Sequence, residues 1–187
     1  TMDYYYTKDR LKMLIDSIET EGEKKCKIYL LHGALSDEQM NWLYTNTKVK
    51  ALTSLSFGEG FGLPIYEAAQ AGIPVVTTAW SGHMDFMQIK GKNMFAAVKH
   101  EIKQIQPHAA WKGVLHADSG WAYPNNEHAK RLLRDVKSNY KKWKTRATKL
   151  KNHINKTYTE EKLYNKFTEM VDTTTKKARV PHLGIQV

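Results

Sequence analysis

Apolar residues recur at helical spacing as Leu11, Leu14, Ile15 and Ile18, which predicts an amphipathic helix over about residues 8–20. The tyrosine-rich stretch before it, residues 1–7, has no clear period, and Glu21-Gly22-Glu23 breaks the helix. Residues 27–31 read as a short buried strand that stops at His32-Gly33. Ser36, with Gln39 three residues on, forms a capping box and opens a second helix with Met40, Leu43 and Tyr44 inward. Residues 49–55 are the next strand, and a glycine-rich loop follows over 56–63. Pro64 stands where a helix starts, with φ preset and no N–H to satisfy; Gly72 and Pro74 stop that helix. Residues 75–78 are again a strand.

Strand, helix, strand, helix, strand in this order predicts an α/β fold, a parallel sheet with flanking helices. Ligands of such sheets bind beyond the carboxyl ends of the strands. Three loops, 31–33, 56–63 and 79–83, would meet on that edge. Residues 93–106 have moderate β character. From Asn125 the chain reads as helical: Ala129, Leu132, Leu133, Val136 and Tyr140 form one apolar stripe, and Trp143, Ala147, Leu150 and Ile154 a second. Thr159 caps a last helix, with Tyr158 and Leu163 as a hydrophobic staple and Leu163, Phe167 and Met170 facing inward. Residues 173–187 are polar, carry Pro181 and Gly184, and read as a flexible tail.

The chemistry concentrates in the glycine-rich loop. Gly58, Gly60 and Gly62 let a ligand approach the backbone without a Cβ in the way. A strand feeding such a loop and a helix start makes an anion site, because the first-turn N–H groups are unpaired and the dipole favours negative charge. Glu59 and Glu67 repel phosphate, so neutral hydroxyls are their better partners. A loop offering N–H groups to phosphate and carboxylates to hydroxyls suits a nucleotide sugar. Taken singly, each carboxylate reads as a surface charge. His83 could serve as a general acid or base, but a loop histidine bonded to the backbone is the preferred reading.

Composition narrows this picture. The 187 residues suffice for one domain with a core, no apolar run approaches a membrane span, and the N-terminus lacks a signal-peptide pattern. Cys26, the single cysteine, reads as a buried reduced thiol in a cytoplasmic protein. Net charge is +10, with much of the excess after Lys130. That pattern is first the solvated face of a helix, and second an attraction for an anionic donor, nucleic acid or the periphery of a membrane. There is no Asp-x-Asp pair and no His/Cys cluster with metal-ligand spacing, so no metal or cofactor is expected.

The run Glu59-Gly60-Phe61-Gly62-Leu63-Pro64, with Glu67 after seven intervening residues, resembles the E-x7-E signature of retaining GT-B glycosyltransferases of family 4, the glycosyl transferases group 1. Ser56, Ala68, Gly72, Pro74 and Val75 stand where that pattern places them, and the likeness extends more weakly over residues 27–172. Ser81-Gly82-His83-Met84-Asp85 resembles the family's next glycine loop, with Asp85 where Glu is usual, and residues 119–125 its loop before the late helices.

The resemblance implies a Rossmann-like sheet, one half of a GT-B fold, followed by a helical C-terminal region. It implies the C-terminal, donor-binding domain over residues 1–172, incomplete at its N-terminus. The partner ligand would be a nucleoside-diphosphate sugar. Glu59 would contact the donor-sugar hydroxyls as the candidate catalytic residue. Ser56, Gly60, Phe61, Gly62 and Leu63 would line the sugar and phosphates, Glu67 would hold the ribose hydroxyls, and Gly33 with Leu31 would border the base. The acceptor (a glycan, lipid or protein) would need an N-terminal domain in cis or on a partner chain, so this chain alone would not turn over. Two other readings stay open: a nonenzymatic nucleotide-binding module, and a basic nucleic-acid-binding domain.

Overall fold

The computed structural model describes residues 2–18 and 26–177. The chain divides into two compact units, Thr1–Leu43 and Tyr44–Val187.

The first unit opens with helix α1, Met2–Ser17. It starts before the predicted Lys8 and takes in the three tyrosines. Arg10 accounts for part of the extension, because its guanidinium lies 5.6 Å over the Tyr6 ring and donates to Tyr6 Oη at 3.2 Å, an i, i+4 pair. The predicted breaker at 21–23 lies outside the described residues. The predicted strand at 27–31 is not formed. Ile28, Tyr29 and Leu31 are exposed, as is Cys26, which was expected to be buried. A strand exists only through its ladder partners, and an apolar run does not supply one. The capping box is present as predicted. Gln39 N–H reaches Ser36 Oγ at 3.3 Å, Ser36 N–H reaches Gln39 Oε1 at 2.9 Å, and helix α2 runs Asp37–Thr45 across the boundary of the units.

The second unit holds the sheet. Its strands are β1, Leu52–Ser54, β2, Val75–Thr78, and further on β5, Ala96–Val98. They pair in parallel in the order β1-β2-β5, with Leu52 beside Val75 and Val76 beside Ala96. The sheet is parallel as predicted, but Ala96–Val98 and not 27–31 is its third strand. Helix α3, Leu63–Ala71, joins β1 to β2. A 3-10 turn, Gly82–Asp85, and a small hairpin of β3, Gln88–Ile89, and β4, Lys92–Asn93, fill the path from β2 to β5. A separate antiparallel ribbon pairs β6, His100–Gln104, with β7, Gly120–Pro124. The segment expected to be a loop at 119–125 is therefore mostly strand, paired over its length with residues whose β character was visible.

Three helices complete the unit: α4, Asn126–Ser138, α5, Tyr140–Thr157, and α6, Glu160–Lys177. Strand alternation gives β2 two faces. Val75 joins Ile65, Ala68 and Ala69 of α3 and Leu150 and Ile154 of α5 in one core; Val76 joins Ala96, Val98, Ala129, Val136 and Trp143 in another. The sheet thus lies between helices, an α/β layer structure of Rossmann-like kind.

The punctuation read for α3 holds. Pro64 sits in its first turn, and Gly72, at φ 76°, caps its end with N–H bonds to Ala68 and Ala69. Lys144 Nζ donates to the Gly72 carbonyl at 2.7 Å, placing a cation at the negative end of the helix. The second predicted stripe, Trp143, Ala147, Leu150 and Ile154, is buried throughout. The stripe on α6 is not: Leu163, Phe167 and Met170 are exposed, and the helix continues to Lys177, into the segment read as tail. Helical spacing specifies that a face is apolar, and not what covers it.

These burials separate two substitutions. Leu150→Ala is expected to cost about 2–5 kcal/mol, because Leu150 is only 2% exposed between α3 and α5. Phe167→Ala, at a ring 61% exposed, is expected to stay within about 0.5 kcal/mol of the parent. Urea denaturation of both variants checks the contrast, and equal losses would contradict it.

Candidate functional site

The loop that follows β1 is tied down on every side. Thr78 Oγ1 donates to the Ser56 carbonyl at 2.9 Å, while Ser56 Oγ is enclosed without a hydrogen-bond partner. The Phe57 carbonyl accepts from Ala122 N–H of β7 at 3.1 Å. The Phe57 ring stacks on Trp121 at 5.1 Å and 22°, and lies 4.7 Å from Tyr123. At its far end Gly62 is the N-cap of α3 with φ 83°. A Cβ there would stand 3.3 Å from His83 Cβ, so a side chain at this position is both strained and crowded.

The strongest tie is to the loop after β2. Ser81 Oγ accepts from Glu59 N–H at 2.9 Å and donates to the Glu59 carbonyl at 2.5 Å. Gly82 N–H donates to the same carbonyl at 3.1 Å. A Cβ on Gly82 would fall 1.8 Å from the Gly60 carbonyl oxygen, so only glycine fits there. Ser81 has φ 85° and ψ −168°, a region that costs a residue with a side chain of order 1–3 kcal/mol.

His83 lies beneath, fully buried. Its Nε2 is 2.8 Å from the Thr78 carbonyl, so Nε2 carries the proton and donates, and Nδ1 is left without a partner. Burial lowers its pKa, against the raising effects of the Thr78 bond and the Glu59 charge. This is the backbone-bonding role preferred from the sequence.

Along the chain, Glu59 precedes the start of α3 and Glu67 follows it. Glu59 is half-buried in the loop and Glu67 is exposed on the helix. The ladder of α3 begins with Tyr66 N–H to the Gly62 carbonyl at 2.9 Å, so the N–H groups ahead of it have no helical partner. Tyr44, the part of α2 that belongs to this unit, donates its hydroxyl to Glu67. Burial first, then the charge of Glu67 and this hydrogen bond, push the Tyr44 phenol up to about 12. Phe61 leaves its ring half-exposed while packing on Tyr66 at 5.3 Å and Phe86 at 5.0 Å, and Leu63 is exposed beside it. The site therefore offers unpaired N–H groups to an anion and two carboxylates to hydroxyls. Among the described residues no group of three or more His, Cys, Asp or Glu is arranged to hold a metal ion.

The family model for glycosyl transferases group 1 matches residues 8–110, over half of the chain and all of the loops just described. The chain belongs to that family. No curated protein and no solved structure matches it. The membership supports a GT-B glycosyltransferase domain and glycosyl transfer in general, and the α/β unit with its parallel sheet is the architecture of such a half.

Of the residues singled out from the sequence, Ser56, Glu59, Gly60, Phe61, Gly62, Leu63 and Glu67 lie together in one loop and helix start of this glycosyltransferase unit. Gly33 belongs to the first unit, where it is exposed with φ 124°. Two polar partners were not foreseen. Helical spacing marks Tyr44 only as an inward-facing residue, and nothing near Ser81 in the sequence gives it a role. Both act through contacts 22 or more positions away, which spacing does not encode. No helix among the described residues is long and apolar enough to cross a membrane.

The lowered pKa of His83 makes a pH expectation. Unfolded, the ring binds a proton below about 6.5; folded, it resists that proton, so its stabilisation is present above that pH and is lost as pH falls. His128, lowered by burial and by Arg131 and Lys99, acts in the same direction. Stability measured by urea denaturation is expected to drop from pH 7 to pH 5 and to drop less in His83→Gln. A flat profile in the parent would contradict the buried neutral ring.

Proposed function

We propose that the unit formed by residues 44–187 is the donor half of a retaining GT-B glycosyltransferase of family 4, its C-terminal domain, and binds a nucleoside-diphosphate sugar. The observation that carries this reading is that Glu59, in the loop before α3, and Glu67, five residues into it, flank the first turn of α3 along the chain. A sugar, a diphosphate and a ribose follow one another in the donor in that same order. Glu59 receives hydrogen bonds from the sugar hydroxyls. The first turn of α3 and the backbone at Gly60, Phe61, Gly62 and Leu63 hold the diphosphate, and Ser56 supports the base of the loop. Glu67, held by Tyr44, receives the ribose hydroxyls.

The chemistry assigned to this half is leaving-group stabilisation. Negative charge develops on the diphosphate as the bond to the anomeric carbon breaks, and preorganised N–H groups at a helix start stabilise it where it forms. The acceptor hydroxyl comes from a second domain, in the same polypeptide or on a partner chain. Holding that hydroxyl against the anomeric carbon is worth about 7–11 kcal/mol, so the 187-residue chain alone is expected to bind donor without transferring it.

Titration calorimetry against UDP, GDP, ADP and their hexose esters tests the reading. At least one is expected to bind, with or without chelator. Glu67→Ala is expected to weaken that binding about tenfold to hundredfold and Glu67→Gln less, because glutamine keeps an acceptor but loses the charge. No binding by any nucleotide, together with salt-sensitive binding of an oligonucleotide, would overturn it. Variants at Glu67 that bind like the parent would remove Glu67 from the ribose.

A further inference from the structure

The hydroxyl of Ser81 is placed in a way that local folding does not require. Its backbone occupies a conformation that glycine adopts freely and serine resists. Glycine at this position would remove that resistance, and the turn would still be closed by Gly82 N–H to the Glu59 carbonyl and by Met84 N–H to the Ser81 carbonyl at 3.0 Å. What glycine would not supply is Oγ. That one atom takes both polar groups of the Glu59 peptide environment, accepting from the N–H at 2.9 Å and donating to the carbonyl at 2.5 Å.

The consequence falls on one residue. Glu59 has backbone neighbours Gly58 and Gly60, which leave the chain free to rotate on both sides of it. Ser81, reaching across from the loop after β2, removes that freedom. The backbone of Glu59 is fixed at both its N–H and its C=O, and its carboxylate leaves from a stationary Cα. Apolar packing between the two loops lies further along, where Phe61 meets Phe86; at Glu59 and Ser81, both half-buried, the tie is made by the Ser81 hydroxyl.

We propose that Ser81 is a positioning residue: it accepts a strained backbone in order to fix Glu59, and thereby aims the Glu59 carboxylate at the sugar of the donor. The proposal rests on the donor reading above and adds to it a specific partner for Glu59. Ser81 does not touch the ligand. It acts on the discrimination between a nucleoside diphosphate and its sugar ester, because only the ester carries the hydroxyls that Glu59 meets.

The test uses the full chain with Ser81→Gly, Ser81→Ala and Glu59→Gln, titrated with UDP, GDP and ADP and with UDP-glucose, GDP-mannose and ADP-glucose. Thermal unfolding and amide exchange at Glu59 are read on the same proteins. Ser81→Gly is expected to unfold at the same temperature as the parent or higher, because the strain is relieved. Its affinity for the sugar ester is expected to fall about tenfold while that for the free diphosphate holds, and its Glu59 N–H is expected to exchange faster. Ser81→Ala keeps the strain and loses the hydroxyl, so it is expected to show the same binding change without the gain in stability.

A merely structural serine would lower both affinities together, and that result overturns the proposal. So does a Ser81→Gly protein that binds the ester like the parent while Glu59→Gln binds it poorly. That outcome leaves the donor reading standing. If Glu59→Gln and both Ser81 variants all bind like the parent, the role given to Glu59 fails and the proposal falls with it.

Discussion

Gly82 passes the Gly60 carbonyl so closely that the space a Cβ would need is already taken. This approach joins the two loops at the carboxyl edge of the sheet, and much of the unit serves to deliver it. The loop carrying Gly82 leaves β2, whose four residues are all buried, with Val75 in one core and Val76 in the other. β2 is thus packed on both faces. The turn beyond it is held by His83 to the Thr78 carbonyl, and Thr78 in turn holds the Ser56 carbonyl. One buried strand thus anchors both the near loop and, through Ser56, the loop that follows its neighbour β1.

The edge of the sheet is held at a cost. Ser81 is strained, and a residue with a side chain in its backbone conformation costs of order 1–3 kcal/mol. Such strain survives only where surrounding packing overdetermines it. The packing is of that kind. Ile65, Ala68 and Ala69 bring α3 close to the sheet, and Leu150 and Ile154 of α5 close the layer from outside. The interior supplies the stability, and the edge where the loops meet uses part of it. That division is usual where a site must be rigid before its ligand arrives.

The features legible in the sequence were those with local causes. The capping box at Ser36 and Gln39 needs only four consecutive residues, and the ends of α3 need only Pro64 and Gly72. The buried face of α5 follows from helical spacing, and the acidic pair from Glu59 and Glu67 eight positions apart. What failed depended on a partner elsewhere in the chain. Residues 27–31 have the composition of a strand and no ladder. Gly120–Pro124 has the look of a loop and acquires strand geometry by pairing with His100–Gln104. The apolar stripe of α6 is real, but Leu163, Phe167 and Met170 are exposed. Tyr44 and Ser81 became part of the site only once the fold set them against Glu67 and Glu59.

Charge works at two ranges in this protein, and the two do not cancel. The chain carries +10, and α5 contributes to it without a single acidic side chain. Asp135 of α4 is already engaged by Asn139, Trp143 and Lys142 and offers little compensation. Such a surplus attracts any polyanion and raises its rate of arrival. It does not choose among them, because beyond about 8 Å the attraction is screened at physiological salt. At the start of α3 the ordering is set by contact instead. On the proposed reading, bare phosphate would meet N–H groups flanked by two carboxylates that repel it, whereas a diphosphate esterified on both sides would bring hydroxyls to those carboxylates and keep its charge at the helix end. On the donor reading proposed above, Glu59 and Glu67 would act as selectors against the anions that the rest of the surface collects, and that role would require them to be held in place. The Tyr44 hydroxyl on Glu67, and the Ser81 hydroxyl and Gly82 N–H on the Glu59 backbone, are contacts that meet that need.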